Sequence, residues 1–149
     1  MSTGVYVLLV AVVGALGFGL FRALTDGRFR GTHRVQGVES APPEPSDRSV
    51  LENTPWSDEL GERATLLQFS SAFCAPCRAT RRVLEDVASA VPGVTHVEVD
   101  AEHHLDVVRR LGILRTPTTL VLSRGGTEVT RAAGAPTKQQ VLAALDRLG

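Results

Sequence analysis

The sequence predicts an α/β fold, a mixed four-stranded sheet flanked by helices, preceded by one N-terminal transmembrane helix. Three observations carry that expectation. Residues 4–21, GVYVLLVAVVGALGFGLF, hold no charged side chain. From residue 64 onward the hydrophobic period alternates between that of a strand and that of a helix. A Gly125-Gly126 pair then separates the last two strand-like runs, as a tight hairpin requires.

The apolar run comes first, and Ala23 and Leu24 extend it past Arg22. At a rise of about 1.5 Å per residue it reaches about 30 Å, the thickness of a bilayer core. A cleaved signal peptide fits less well, because MST is no basic leader and no A-x-A site follows the run. No cysteine lies near residue 20 to suggest a lipoprotein. Residues 1–24 are therefore expected to be a retained single-pass anchor that meets the membrane through residues 4–24. Arg22, Arg28, Arg30 and Arg34 follow it against Asp26 alone. The positive-inside tendency then places the C-terminal part in the cytoplasm and the N-terminus outside. An extracytoplasmic domain is the alternative. Ala11, Ala15 and Gly19 share one helical face on which two such helices can approach, although a monomer is the expected state.

Residues 25–55 are expected to be a linker. The prolines of ESAPPEPSDRS oppose helix and sheet and favour an extended chain, and THRVQGVE has the content of a short strand. The soluble domain is expected over 56–149. ATLLQFS (64–70) is a short, mostly apolar strand, and the segment beginning APCRATRRVLEDVASAV is a helix with Val83, Leu84, Val87, Ala88 and Val91 on one side. Pro92-Gly93 ends that helix. VTHVEVD (94–100) is a strand by its β-branched content. HHLDVVRRLGI supplies a short helix, TTLVLSR (118–124) and TEVTRAAG the hairpin strands, and the last segment an amphipathic helix carrying Val141, Leu142, Leu145 and Leu148. Strand–helix alternation implies parallel pairing through right-handed crossovers, with the last two strands antiparallel.

Composition removes several function classes. The chain of 149 residues has 16 basic and 16 acidic side chains, so no net field favours nucleic acid. Neither a basic face nor interleaved aromatics suggest such a partner. SRGGTE precedes a strand rather than a helix and is a turn, not a phosphate loop. Ser70 and Ser71 belong to no Ser-His-Asp arrangement that the sequence suggests.

What remains is the pair of cysteines, Cys74 and Cys77, the only two in the chain. Two cysteines make no disulfide framework, so they act as a pair. Cys74 falls at the junction of a strand and its helix, where unpaired N–H groups and the helix dipole stabilise a thiolate. Cys77 lies one turn later and in disulfide reach, placed to attack a mixed disulfide formed by Cys74. Pro76 suits the first turn, and Arg78 adds positive charge beside the thiolate. A metal site using His33, His96, His103 or His104 is the alternative chemistry. His103 and His104 are adjacent at a helix start, where their side chains diverge, and are better read as surface residues. No metal is expected.

FSSAFCAPCR resembles the active-site segment of the thioredoxin family, with Phe73 in place of the usual Trp and Ala75 in place of the usual Gly. RTPTTLVL (115–122) resembles the second family motif, and Gly134 matches the glycine beside the substrate groove. The resemblance runs from Ala64 to the C-terminus. It implies a thioredoxin-like fold and a thiol–disulfide oxidoreductase of the protein-disulfide reductase type. Cys74 would be the exposed nucleophile and Cys77 the buried resolving thiol, with no cofactor beyond their redox-active disulfide. Pro117 would be cis and face the disulfide. With the backbone of Thr116 it would hold a substrate peptide as an added strand. The implied partners are disulfide-containing proteins and an electron donor. Two departures stand out: Gln68 replaces the family's buried Asp, and His96 the Lys that accompanies it. A non-catalytic thioredoxin-fold binding module is the reading of another class.

Overall fold

The computed structural model describes residues 3–25, 28–30 and 48–148. Most of the expected linker, including the THRVQGVE segment and His33, lies outside them. Helix α1 (Thr3–Thr25) carries the apolar run, and none of its Gly4–Leu24 window is buried. It has the length and composition of a membrane span, a test that an N-terminal signal sequence also passes.

The sheet contains the four predicted strands: β2 (Ala64–Ser70), β3 (Val94–Asp100), β4 (Thr118–Ser123) and β5 (Glu128–Ala133). Between them lie α2 (Ala75–Ala90) and α3 (Leu105–Arg110), and α4 (Lys138–Leu145) follows, ending in one 3-10 turn. A two-residue strand β1 (Phe29–Arg30) adds to the edge, pairing antiparallel with Ala132 and Arg131 of β5. It falls inside the segment expected to be linker.

In space the order is β1-β5-β4-β2-β3. β2 and β3 pair in parallel, as their helical crossover requires, and β4–β5 is the expected hairpin. β4, expected parallel, instead runs antiparallel to β2. The connection does not carry the chain back along the sheet. β3 ends at Asp100 beside Ser70, and α3, about 9 Å long, covers less than half of a strand of about 23 Å. Past it the chain turns at Gly112, φ +62°, Ile113 is buried in the same core as Val107, and the chain re-enters the sheet at the end it left, with Thr118 opposite Phe69.

β2 is buried at every residue, which explains why it reads as a nearly continuous apolar run. Its two faces feed two cores. Leu67 and Phe69 pack with Val97, Val99, Val107, Ile113, Leu120 and Leu122. Ala64 and Leu66 pack with Leu84, Val87, Val94, Val121, Val141, Ala144 and Leu145 beneath α2 and α4.

The first core also takes in Leu51, fully buried, with Val50 and Trp56 against it. The Val50 N–H donates to the Gly126 carbonyl at 2.8 Å, and Arg110 Nη2 donates to the Val50 carbonyl at 3.2 Å. Gly126 has φ +78°, and a Cβ there would stand 2.0 Å from Ser49 Oγ, so only glycine fits this turn. Packing thus begins upstream of residue 56, where composition alone put the domain start. Truncating Leu51 to Ala should cost about 2–5 kcal/mol of stability. Denaturant unfolding of the full chain, followed by Trp56 fluorescence, measures it; an unchanged midpoint would show that the segment adds nothing to the core.

Candidate active site

Cys74 is the N-cap of α2, with extended φ −99° and ψ 98°, and its Sγ accepts from the Cys77 N–H at 3.1 Å. Pro76 occupies the first turn, where its missing N–H leaves no intrahelical bond unmade. The two sulfurs are joined as a disulfide. Their environments differ sharply, since Cys77 is 2% exposed while Cys74 is only half-buried. Around Cys74 the residues Phe73, Ala75, Pro76 and Arg78 are exposed, and Phe73 is 99% so.

The sheet register brings a second loop to the same place. Because Phe69 faces Thr118, Ser71 comes beside Thr116, and their hydroxyls are 3.1 Å apart. The Thr116–Pro117 peptide is cis, and Pro117 is buried. Its carbonyl accepts from the Gly134 N–H at 2.7 Å, and Gly134, with φ +101°, makes the turn that delivers this donor. Cysteine loop, proline loop and Gly134 thus form one assembly.

Behind the disulfide a cleft of about 300 Å³ is lined by Ser70, Cys74, Cys77, Arg78, Arg81, Glu98 and Asp100. Arg81 is ion-paired with Glu98, whose hydrogen bond holds its guanidinium pKa above the ordinary value. Gln68 is fully buried below the cysteines, donating to the Cys77 carbonyl at 3.0 Å and facing His96 Nε2 at 3.1 Å. Thr119, opposite Gln68, and Thr80, one turn beyond Cys77, bury hydroxyls that have no hydrogen-bond partner within the described residues.

Of the residues expected to form the site, Gln68 bonds the Cys77 carbonyl and His96 faces Gln68, while Thr116 reaches Ser71 of the cysteine loop and Pro117 holds Gly134. The other two described histidines have other partners. His104 stacks edge-on against Trp56 with ring centroids 4.7 Å apart, and His103 Nδ1 lies 2.9 Å from Asp100 Oδ2. Sequence reasoning missed the Ser71–Thr116 contact, Glu98 with Arg81, and Leu114, which is 96% exposed two residues before Thr116. Leu114 carried a signal in hindsight, an apolar residue just past the Gly112 turn, where helical periodicity no longer accounts for it.

A family model described as Thioredoxin matches residues 48–147. The chain belongs to the thioredoxin family. It is 34% identical over 86 residues to a thioredoxin of Alicyclobacillus acidocaldarius, covering 57% of this chain and 81% of that protein. It is 28% identical over 93 residues to a thioredoxin of Chlamydia trachomatis, covering 62% and 90%. Among solved structures, thioredoxin f from spinach chloroplast superimposes with a TM-score of 0.55 at 22% identity, covering 67% of this chain and 88% of that one. Fasciola hepatica thioredoxin gives 0.54 at 24% identity, covering 62% and 86%. With its paired cysteines at the helix start, the thioredoxin domain is a thiol–disulfide oxidoreductase.

At the rim of the thioredoxin site, Asp100 caps the turn after β3. It accepts from His103, whose bond does most to lower its pKa, and from the Glu102 N–H at 2.8 Å. A depressed folded pKa means stability that is present above the unfolded value, about 3.9, and is lost as pH falls through the folded one. Asp100→Asn should therefore be less stable than the parent near neutrality. The difference should be under about 1 kcal/mol, as befits an exposed pair, and should close in acid. Thermal melts from pH 3 to 7 test this, and a difference independent of pH would contradict it.

Proposed function

We propose that the chain is a membrane-anchored protein-disulfide reductase whose thioredoxin domain faces the cytoplasm. The observation that carries the reading is the asymmetry of the dithiol: Cys74 half-buried at a helix N-terminus, Cys77 buried one turn later. In the reduced protein the Cys74 thiolate attacks a partner disulfide. A mixed disulfide forms, and the first partner sulfur leaves as a thiolate and takes up a proton. Deprotonated Cys77 then attacks Cys74 Sγ. The Cys74–Cys77 bond forms, the bond to the partner breaks, and the second partner thiol is released. The partner gains two electrons and two protons, which a separate dithiol donor must restore to this chain.

The site offers the means to hold such a partner. An extended peptide laid along Thr116 and Pro117 would pair backbone to backbone. Phe73 and Leu114 leave two large apolar side chains exposed on the loops that flank this position. Burying each would contribute about 1.5–3 kcal/mol, so partners with apolar residues beside their disulfide are favoured. The anchor reading rests on α1, and its orientation on Arg22, Arg28, Arg30 and Arg34.

Cys74→Ser should reduce turnover of a protein disulfide to the uncatalysed level. Cys77→Ser should instead accumulate a covalent mixed disulfide that dithiothreitol releases, visible on non-reducing gels. Trapping by Cys74→Ser and not by Cys77→Ser would reverse the assigned roles. Sidedness is read by treating intact cells with an impermeant reductant and then an impermeant thiol reagent. Labelling only after lysis is expected. Labelling in intact cells would place the domain outside, where a role in cytochrome c maturation or disulfide management is the alternative.

A further inference from the structure

Under the disulfide, one run of hydrogen bonds leads from the buried cysteine to a titratable side chain. Gln68 Nε2 lies 3.0 Å from the Cys77 carbonyl oxygen. That oxygen only accepts, so the amide cannot be turned over, and its Oε1 is left facing His96 Nε2 at 3.1 Å. Oε1 also only accepts. The imidazole must therefore donate, and it carries a proton on Nε2 in its neutral as well as its cationic form. Nδ1 is then the atom that titrates.

Three charged groups face this imidazole. Glu98 comes from the same face of β3, and Glu85 and Arg81 come from α2. Glu98 is engaged by Arg81. Burial is the largest influence and pushes the His96 pKa below the ordinary histidine value; the two carboxylates oppose it and Arg81 adds to it. Gln68, at 0% exposure, excludes water between the ring and the Cys77 carbonyl. Charges separated by such a dry, polarisable link interact more strongly than they would through solvent.

We propose that His96 is a positioning residue of the dithiol, coupled through Gln68 to the thiolate formed beneath the disulfide, so that cysteine redox state and Nδ1 protonation control each other. The proposal rests on reading Cys74 and Cys77 as a working redox pair. The disulfide carries no charge, and its reduction creates groups that become thiolates. A cationic His96 favours a thiolate at Cys77, and a thiolate favours the cation. Such linkage is reciprocal: over the pH range in which the reduced protein carries a thiolate, the imidazole titrates at a higher pH than in the oxidised protein. His96 transfers no proton through Gln68, because an amide cannot relay one here; its influence is electrostatic.

The test is histidine NMR on the full chain in detergent micelles, with the imidazole nitrogens labelled and the His96 signals assigned by loss in His96→Gln. The expected result is an Nε2–H tautomer in both redox states and a higher titration midpoint after reduction. The midpoint difference should collapse in Gln68→Leu and survive in Glu98→Gln. Equal midpoints in the two states, or an Nδ1–H tautomer, overturn the proposal. So does a difference that Glu98→Gln abolishes and Gln68→Leu leaves intact, which would assign the coupling to Glu98. Were Gln68→Leu not to fold, the tautomer and the redox dependence of the unsubstituted protein decide the matter by themselves. Protein-disulfide turnover is measured separately. Redox-dependent titration without turnover upholds the coupling and overturns the proposed reductase function. Turnover with equal midpoints does the reverse.

Discussion

The site depends on β2 being buried along its whole length between two strands that both meet its C-terminal end at the working edge. Parallel pairing sets Asp100 beside Ser70, and antiparallel pairing sets Thr118 opposite Phe69. A one-residue slip on either side would exchange the two faces of the sheet and expose a core. Register is therefore held by the hydrophobic packing of both cores at once. The same register carries the proline loop to the cysteine loop, where Thr116 meets Ser71.

Within that frame, chemistry is divided by depth. At the top, Cys74 has the free end of a helix, exposed neighbours and an open cleft. Below it, Cys77 sits among Gln68, Thr80 and Thr119, polar groups enclosed by aliphatic packing. An ionised carboxylate at position 68 would need a compensating charge. The amide needs only hydrogen bonds, which the Cys77 carbonyl and His96 supply. The pair Gln68 and His96 is thus a consistent solution in which each residue accounts for the other.

Much of this was legible before the structure. β2, β3 and the hairpin follow from β-branched content and apolar runs, and α2 from its i+4 valines. Cys74 at a strand–helix junction already implied an activated thiol, and the family motif placed Pro117 and Gly134. The direction of β4 was not legible, because alternation of strands and helices does not show at which end of the sheet the chain re-enters after a short helix. Leu51 was lost to the prolines upstream of it, since composition reports the average of a segment and not the one side chain that is buried. The Ser71–Thr116 contact joins residues far apart in sequence and exists only through register.

β1 gives the architecture a mechanical meaning. Only residues 26–28 separate the end of α1 from Phe29, which is already paired to β5. The four Cα-to-Cα steps from Thr25 to Phe29 reach no farther than about 14 Å. Were α1 to lie in a bilayer, as proposed, the edge of the sheet would be on a short leash close to the lipid headgroups. Such an enzyme would search in two dimensions. Disulfides in the juxtamembrane loops of neighbouring proteins would meet it at a high effective concentration, while those in freely diffusing proteins would first have to come to the surface. Selectivity for partners can then arise from where the dithiol is held, before any contact in the groove is made.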